Sequence, residues 1–197
     1  MIRRTALTAR ALAHLFAAFL LWTSLAGTAG AATVRPMGLE EVVDSSTTAF
    51  QGTCIENRTE RDAQTNLIVT YTTFAVDDVL KGTVPATHTI KQIGGTLAGE
   101  GMALRVEGVP TFVVGQSYVV FLAGVSSAGF SSPLGLGQGQ FAVQRDAAGS
   151  SVTVGGAARD GTARASTLLA PGFSLPAGRV GLDEFKQAVR ARLGRAQ

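Results

Sequence analysis

The sequence predicts a mainly β protein, a small antiparallel β-barrel followed by one C-terminal α-helix. Short segments rich in Val, Ile, Thr, Tyr and Phe recur along residues 49–154, and these residue types favour strands. Glycine-containing turns separate the segments without intervening helical patterns, which is typical of closed or partly closed antiparallel barrels. A longer apolar stripe at helical spacing follows residue 179.

Residues 1–31 have the pattern of a secretory signal peptide. Three arginines precede a long apolar run, and Ala29 and Ala31 supply the small residues of a cleavage site. The alternative is a permanent membrane anchor, but polar residues interrupt the run and the A-x-A exit follows at once. We therefore expect cleavage after Ala31 or Ala32, export to the periplasm or the medium, and no stable membrane span afterwards.

Charge and composition exclude several classes of function. The expected leader holds three of the 17 Lys and Arg residues and none of the 14 Asp and Glu residues, so 14 of each sign remain. A chain so balanced lacks the basic surface that nucleic-acid binding requires. One cysteine excludes a disulfide framework, and two histidines do not supply a His-based metal cluster. We therefore expect the protein to bind no metal, cofactor or nucleic acid. The abundance of Arg, Ala and Gly indicates a bacterial source.

The first half of the mature chain predicts a short helix and two strands. Within an N-terminal segment, residues 32–48, apolar residues at helical spacing predict a short helix that ends near Ser45. A strand is predicted at 50–55 and a polar loop at 56–66. The next strand, 67–76, ends at Asp77 and Asp78, which mark a bend or bulge.

Residues 94–110 carry five glycines and one proline in 17 residues, and we predict a long loop there with a short strand at 102–106. The segment 118–122 is an unbroken apolar run, which predicts a buried strand. Residues 151–154 are expected to form an edge strand. Two alternating segments complete the predicted barrel, 88–93 and 139–143.

The C-terminal part divides into a connection and a helix. Small and polar residues with two prolines predict a flexible connection at 155–178. In residues 179–197, one helical stripe is formed by Leu182, Phe185, Val189 and Leu193. This helix either packs on the barrel, which we expect, or docks on a membrane or partner.

Four segments of the chain resemble those of a group of exported, uncharacterised bacterial proteins. They are 71–82 (YTTFAVDDVLKG), 94–95 (GG), 115–122 (GQSYVVFL) and 135–141 (GLGQGQF). The skeleton is also similar to the netrin-like modules of tissue inhibitors of metalloproteinases. That resemblance covers residues 49–143 and implies an OB-like five-stranded barrel. Its motifs are strand and turn patterns, so it implies a fold rather than an activity.

The chain departs from those inhibitors at the residue that inhibits. They present an N-terminal cysteine that chelates the zinc of the target inside a disulfide-rich frame. Here the mature chain begins at Ala32 or Thr33, and the single cysteine is Cys54, within a predicted strand. The inhibitory mechanism is therefore not carried over, although modulation of an exported metalloprotease stays open as an alternative.

Two other groups of residues bear on catalysis or metal binding. Cys54 and His88 are the only thiol and imidazole of the mature chain, and a nucleophilic pair would need them within hydrogen-bond reach. A small hydrolase or thiol enzyme is thus a second alternative, although a cysteine in a strand is ordinarily a buried, inert thiol. Asp77 and Asp78 are adjacent, so in a strand their carboxylates point to opposite faces. A calcium site also usually has more than two acidic ligands, and we therefore expect a solvated bend rather than a metal site here.

The function that the sequence favours is an exported, non-catalytic binding module whose partner is another envelope or secreted protein. The chain has enough residues for a core but few catalytic groups, and barrel modules place their binding sites on loops between strands. The glycine-rich loop is therefore the predicted contact surface. Its candidate binding residues are Gly94, Gly95, Glu100, Arg105 and Glu107; no catalytic residue is assigned.

Overall fold

The computed structural model describes residues 35–147, 149–154, 175 and 178–195. The predicted leader, 1–31, and most of the predicted connection, 155–178, lie outside the described residues. The elements follow the order α1 (Leu39–Ser45), β1 (Thr48–Arg61), β2 (Ile68–Lys81), β3 (Thr87–Ile93), β4 (Gly95–Leu97), β5 (Met102–Leu104), β6 (Ser117–Leu122), β7 (Gln140–Ala142), β8 (Gln144–Asp146), β9 (Gly149–Val154), β10 (Gly178–Gly181) and α2 (Leu182–Arg195). The protein is mainly β, with one of its two described helices at the C-terminus.

Five of the ten described strands form an antiparallel sheet in the order β3-β2-β1-β6-β7. The predicted polar loop at 56–66 is wrong for residues 56–61, because β1 continues through them to Arg61 and pairs with β2 over this length. Only the first part of β1, Thr48–Thr53, also pairs with β6. The far half of the β1–β2 hairpin therefore extends beyond the neighbouring strand.

Three register irregularities bend the β1–β2 ladder. Asp77 is one of the extra residues, since Gln51 pairs with Asp78 and Gly52 with Val76; this confirms the predicted bulge. The same bulge gives the two carboxylates different hydrogen-bond partners. Asp78 accepts hydrogen bonds from Arg190 of α2, whereas Asp77 accepts one at 3.5 Å from the amide of Gln51.

The predicted antiparallel β-barrel is not confirmed, because the sheets that the structure describes are not closed. The edge strands of the large sheet, β3 and β7, do not pair with each other within the described residues. A loop segment approaches both sides of the opening instead. The backbone N–H of Ser131 donates to the carbonyl of Lys91 on β3, and that of Leu134 donates to the carbonyl of Phe121 on β6.

A second sheet, in the order β10-β9-β8, contains the segment that was predicted as an edge strand. Residues 151–154 lie instead in its central strand, β9, because β8 and β10 both pair with it. The predicted start of the C-terminal helix also moves. Residues 178–181 form β10, and the helix begins at Leu182.

Two apolar cores lie on the two faces of the large sheet, and β6 contributes to both. Val119 and Phe121 point into the core shared with α1, α2 and β9. Tyr118, Val120 and Leu122 point into the other core. This alternation explains why the run 118–122 is apolar at every position, as the buried-strand prediction required.

The C-terminal helix packs on the first of these cores. Leu182, Phe185 and Val189 are buried, which confirms the predicted apolar stripe. Ion pairs hold the polar side of α2: Lys186 and Arg190 both pair with Asp78, and Arg192 pairs with Asp44 in the last turn of α1. The guanidinium of Arg192 lowers the pKa of that carboxyl group.

A buried ion pair holds two loops against the outer side of β3. Lys91 Nζ lies 2.6 Å from Asp62 Oδ1, and the two side chains are 9% and 6% exposed. The ammonium also donates to the carbonyl of Ala128 at 2.8 Å and lies 4.8 Å from the ring centre of Phe130. Thr65 donates to Asp62 through its N–H and its hydroxyl. Hydrogen bonds from Lys91 and Thr65 hold the pKa of Asp62 at about 2, below its ordinary 3.8.

Acid should therefore weaken the protein through Asp62. A carboxyl with a depressed pKa in the folded state stabilises that state above its unfolded pKa, and this contribution is lost between about pH 4 and about pH 2. Asp62→Asn should lower the urea midpoint at neutral pH, and the difference from the native protein should narrow at the acid end. Glu107→Gln, an exposed carboxyl without an ion pair among the described residues, is the control. A constant difference across this pH range would contradict the prediction.

Candidate functional site

The candidate site is a groove between the far half of the β1–β2–β3 sheet and the glycine-rich segment that follows β3. Its volume is about 350 Å³. The segment 94–112 forms one wall, with the β4–β5 hairpin lying across β1 and β2. The lining residues are Asn57, Thr70, Thr72, Gln92, Ile93, Gly94, Gly95, Leu104, Arg105, Val106, Val109, Pro110, Thr111 and Phe112.

Four polar side chains form the floor of the groove. Asn57 pairs with Thr72, and Thr70 pairs with Gln92, so the register places all four on one face of the sheet. Thr72 donates its hydroxyl hydrogen to Asn57 Oδ1 at 2.7 Å. Asn57 Nδ2 in turn donates to the carbonyl of Phe112 at 2.7 Å, which fixes the wall to the floor.

The position of the wall depends on a close backbone approach at Gly95. A Cβ atom at this residue would lie 2.4 Å from Thr70 Oγ1 and 2.6 Å from Thr59 Cγ2, and its φ angle is +134°. Only glycine fits both the contact and the conformation. Thr70 also donates its hydroxyl hydrogen to the carbonyl of Gly94 at 2.7 Å. The glycine pair therefore lets the chain lie directly on the floor.

Three of the five predicted binding residues line the groove, and two do not. Gly94, Gly95 and Arg105 all belong to the segment that forms its wall. Glu100 is in the exposed turn of the hairpin, 3.5 Å from Arg61. Glu107 is exposed and does not line the groove. The structure thus divides the predicted loop into a wall and an outer turn.

The floor residues were missed by the sequence analysis. Asn57 was assigned to a polar loop, and Thr70 and Thr72 were taken only as strand formers. A signal was present in β2, where Thr70 and Thr72 continue the alternation of the buried Phe74 and so point to the same side. Polar residues continuing an inward-facing row indicate a site where the apolar core ends.

The groove has unused hydrogen-bonding capacity. Gln92 is 3% exposed, and its Nε2 donates to the carbonyl of Pro110 at 3.3 Å, while its Oε1 accepts no hydrogen bond from the described residues. Arg105 forms neither a hydrogen bond nor an ion pair within the described part of the chain. It is the only ionisable side chain among the lining residues.

Cys54 and His88 are not brought together. Cys54 on β1 pairs with Phe74 on β2, and Phe74 pairs with His88 on β3, so one strand separates them by roughly 10 Å. The thiol contacts the carbonyl of Glu56 and the amide of Asn57 instead. Burial raises the pKa of Cys54 and lowers the pKa of His88, which opposes formation of a thiolate–imidazolium pair.

No group of three or more His, Cys, Asp or Glu side chains in the described ranges is placed to hold a metal ion. Neither described helix has the length and apolar character that a bilayer crossing needs.

Gly95→Ala should displace the wall of the groove. The new methyl group overlaps Thr70 and Thr59, and overpacking of this kind costs about 1–3 kcal/mol in addition to backbone strain. Gly99→Ala is the matched control, since Gly99 also has a positive φ, +89°, but open space at its Cβ position; it should cost only about 1 kcal/mol. Equal losses of thermal stability would show that the close approach at Gly95 does not matter.

Cys54 should react slowly in the folded protein. Its side chain is buried and its pKa is raised, so the thiolate is scarce at neutral pH. A maleimide or disulfide reagent should label the denatured chain completely and the native chain only as fast as it unfolds. Rapid labelling under native conditions would restore the thiol-enzyme alternative.

Comparison with known proteins gave no relative. No protein-family model, curated protein or solved structure matches the chain. What the groove binds must therefore be inferred from the chemistry of its own residues.

Proposed function

We propose that the protein is an exported, non-catalytic binding module of the bacterial cell envelope, and that the groove under segment 94–112 is its contact site. The observation that carries this proposal is a groove of about 350 Å³ whose lining includes a cation with no ion pair among the described residues and a glutamine amide whose oxygen accepts no hydrogen bond from them. Pockets of this kind, apolar with a few convergent polar groups, are characteristic binding sites.

The chemistry of the lining favours binding over catalysis. Arg105 is its only ionisable group, and a guanidinium stays protonated and does not exchange protons as a general acid or base. The nearby thiol of Cys54 is buried and contacts an amide rather than an imidazole. The remaining polar groups of the floor are hydroxyls and amides, which orient a ligand through hydrogen bonds.

The architecture supports the same proposal. We infer that the bulged five-stranded sheet is an OB-like barrel left open between its edge strands, β3 and β7. The loop contacts of Ser131 and Leu134 bridge part of that opening. The groove lies at the other end of the β1–β2 hairpin, where β6 no longer covers the sheet. Open barrel modules commonly bind their ligands on such an exposed strand face and its adjoining loops.

The leader-like sequence of residues 1–31 supports export, and we propose that the partner is another secreted or envelope protein. Filling the groove should abolish the interaction. Val106 lines the groove and is partly exposed, so Val106→Trp should obstruct it without disturbing either core. Val125→Trp is the matched control, because Val125 is 71% exposed on the loop after β6 and does not line the groove.

The experiment is affinity capture from an extract of exported proteins with the native protein and both variants. A species retained by the native protein and by Val125→Trp, and lost from Val106→Trp, is the expected result. The melting temperatures of the three proteins should agree, which distinguishes obstruction of the groove from misfolding. Retention of the same species by all three would show that the groove is not the contact site.

A further inference from the structure

We propose that the groove captures the C-terminal end of a peptide: Arg105 binds the terminal carboxylate, Gln92 accepts a hydrogen bond from a main-chain N–H, and the apolar wall takes the last side chain. This inference rests on the proposed function and specifies the partner of that site. It follows from three features of the lining.

Arg105 provides the anion-binding group. Every other described arginine or lysine has a hydrogen bond or an ion pair, such as Lys91 with Asp62 or Arg61 with Glu100. Arg105 has neither within the described residues, and no acidic side chain lines the groove with it. A guanidinium presents a planar fork of donors that matches a carboxylate.

Gln92 provides an acceptor for a ligand N–H. Its Nε2 is fixed by the carbonyl of Pro110, which determines the orientation of the amide, since the reverse orientation would place two oxygens together. Oε1 is then left without a donor from the described residues. Unlike a fully buried orphan atom, this oxygen keeps some exposure, so a main-chain N–H of a bound peptide can donate to it.

The wall provides an apolar surface beside these polar groups. Leu104, Val106, Val109 and Phe112 all line the groove, and Phe112 packs edge-on against Phe74 and Tyr118, which holds its ring in place. The volume of about 350 Å³ is at the small end of ligand sites. It therefore suits one or two residues rather than a long segment.

A peptide C-terminus is favoured over an isolated anion because it uses all three features. An inorganic anion would engage Arg105 but would leave the amide oxygen and the apolar wall without partners. A neutral apolar ligand would contact the apolar wall but leave the guanidinium of Arg105 without a partner. A terminal residue with an aliphatic side chain carries a carboxylate, an N–H and an apolar group within one residue, and this is an established mode of end recognition.

Binding of N-acetyl-Gly-Leu with a free carboxylate, measured by calorimetry or NMR titration on the full chain, tests this inference. Its C-terminal amide should bind at least about tenfold more weakly, because the charge-assisted bond to Arg105 is lost. Arg105→Gln should reduce the affinity for the free acid to the same extent and leave the affinity for the amide unchanged. Arg145→Gln is the matched control, since Arg145 is exposed on β8, does not line the groove, and its side chain hydrogen-bonds Ser150 among the described residues.

Each outcome separates the inference from the proposed function. Equal affinity for acid and amide would overturn capture of the carboxylate but leave the groove as a peptide site. Acetate or inorganic phosphate binding as tightly as the peptide would reduce the site to one for anions and overturn the peptide assignment. No binding of either peptide would overturn the inference, while loss of capture in Val106→Trp would still support the proposed function.

Discussion

The structure depends on the length of the β1–β2 ladder. β1 pairs with β2 from Ala49 to Arg61 but with β6 only as far as Thr53, so one half of the hairpin lies inside the sheet and the other half extends past it. The extended half is a strand even though its side chains are polar, because its backbone N–H and C=O groups form hydrogen bonds with β2. The extended half exposes an inner face beyond the apolar core, and the groove forms on that face.

Steric fit then determines how the exposed face is covered. The chain leaves β3 through two glycines, and the absence of a Cβ at Gly95 lets its backbone rest on Thr59 and Thr70. Asn57 holds the other end of the wall through the carbonyl of Phe112. The wall is thus fixed at both ends, and the space between is preserved as a groove. A wall that is already fixed loses less conformational entropy when a ligand binds.

The sequence predicted those elements whose pattern is local. The short helix before Ser46, the alternation in β3 and the apolar run of β6 each carry their own signal. The extension of β1 through residues 56–61 was missed because its strand conformation comes from pairing with β2, which local composition does not reveal. The central position of β9 was also not predicted. Its neighbours, β8 and β10, are three and four residues long and show no periodic pattern of their own. Gly94, Gly95 and Arg105 were identified from glycine density, whereas Asn57 joins the site only through register.

Charge distribution distinguishes the groove from the rest of the surface. Basic and acidic residues outside the first 31 positions are equal in number, and the described cations are almost all matched by acids or carbonyl groups, including those that attach α2 to Asp44 and Asp78. Exposed pairs of this kind contribute little stability individually, but they neutralise the surface. Arg105 is exposed and has no acidic neighbour among the lining residues, so its guanidinium gives the groove a local positive potential. In a neutral protein, that potential is a source of selectivity for anionic ligands.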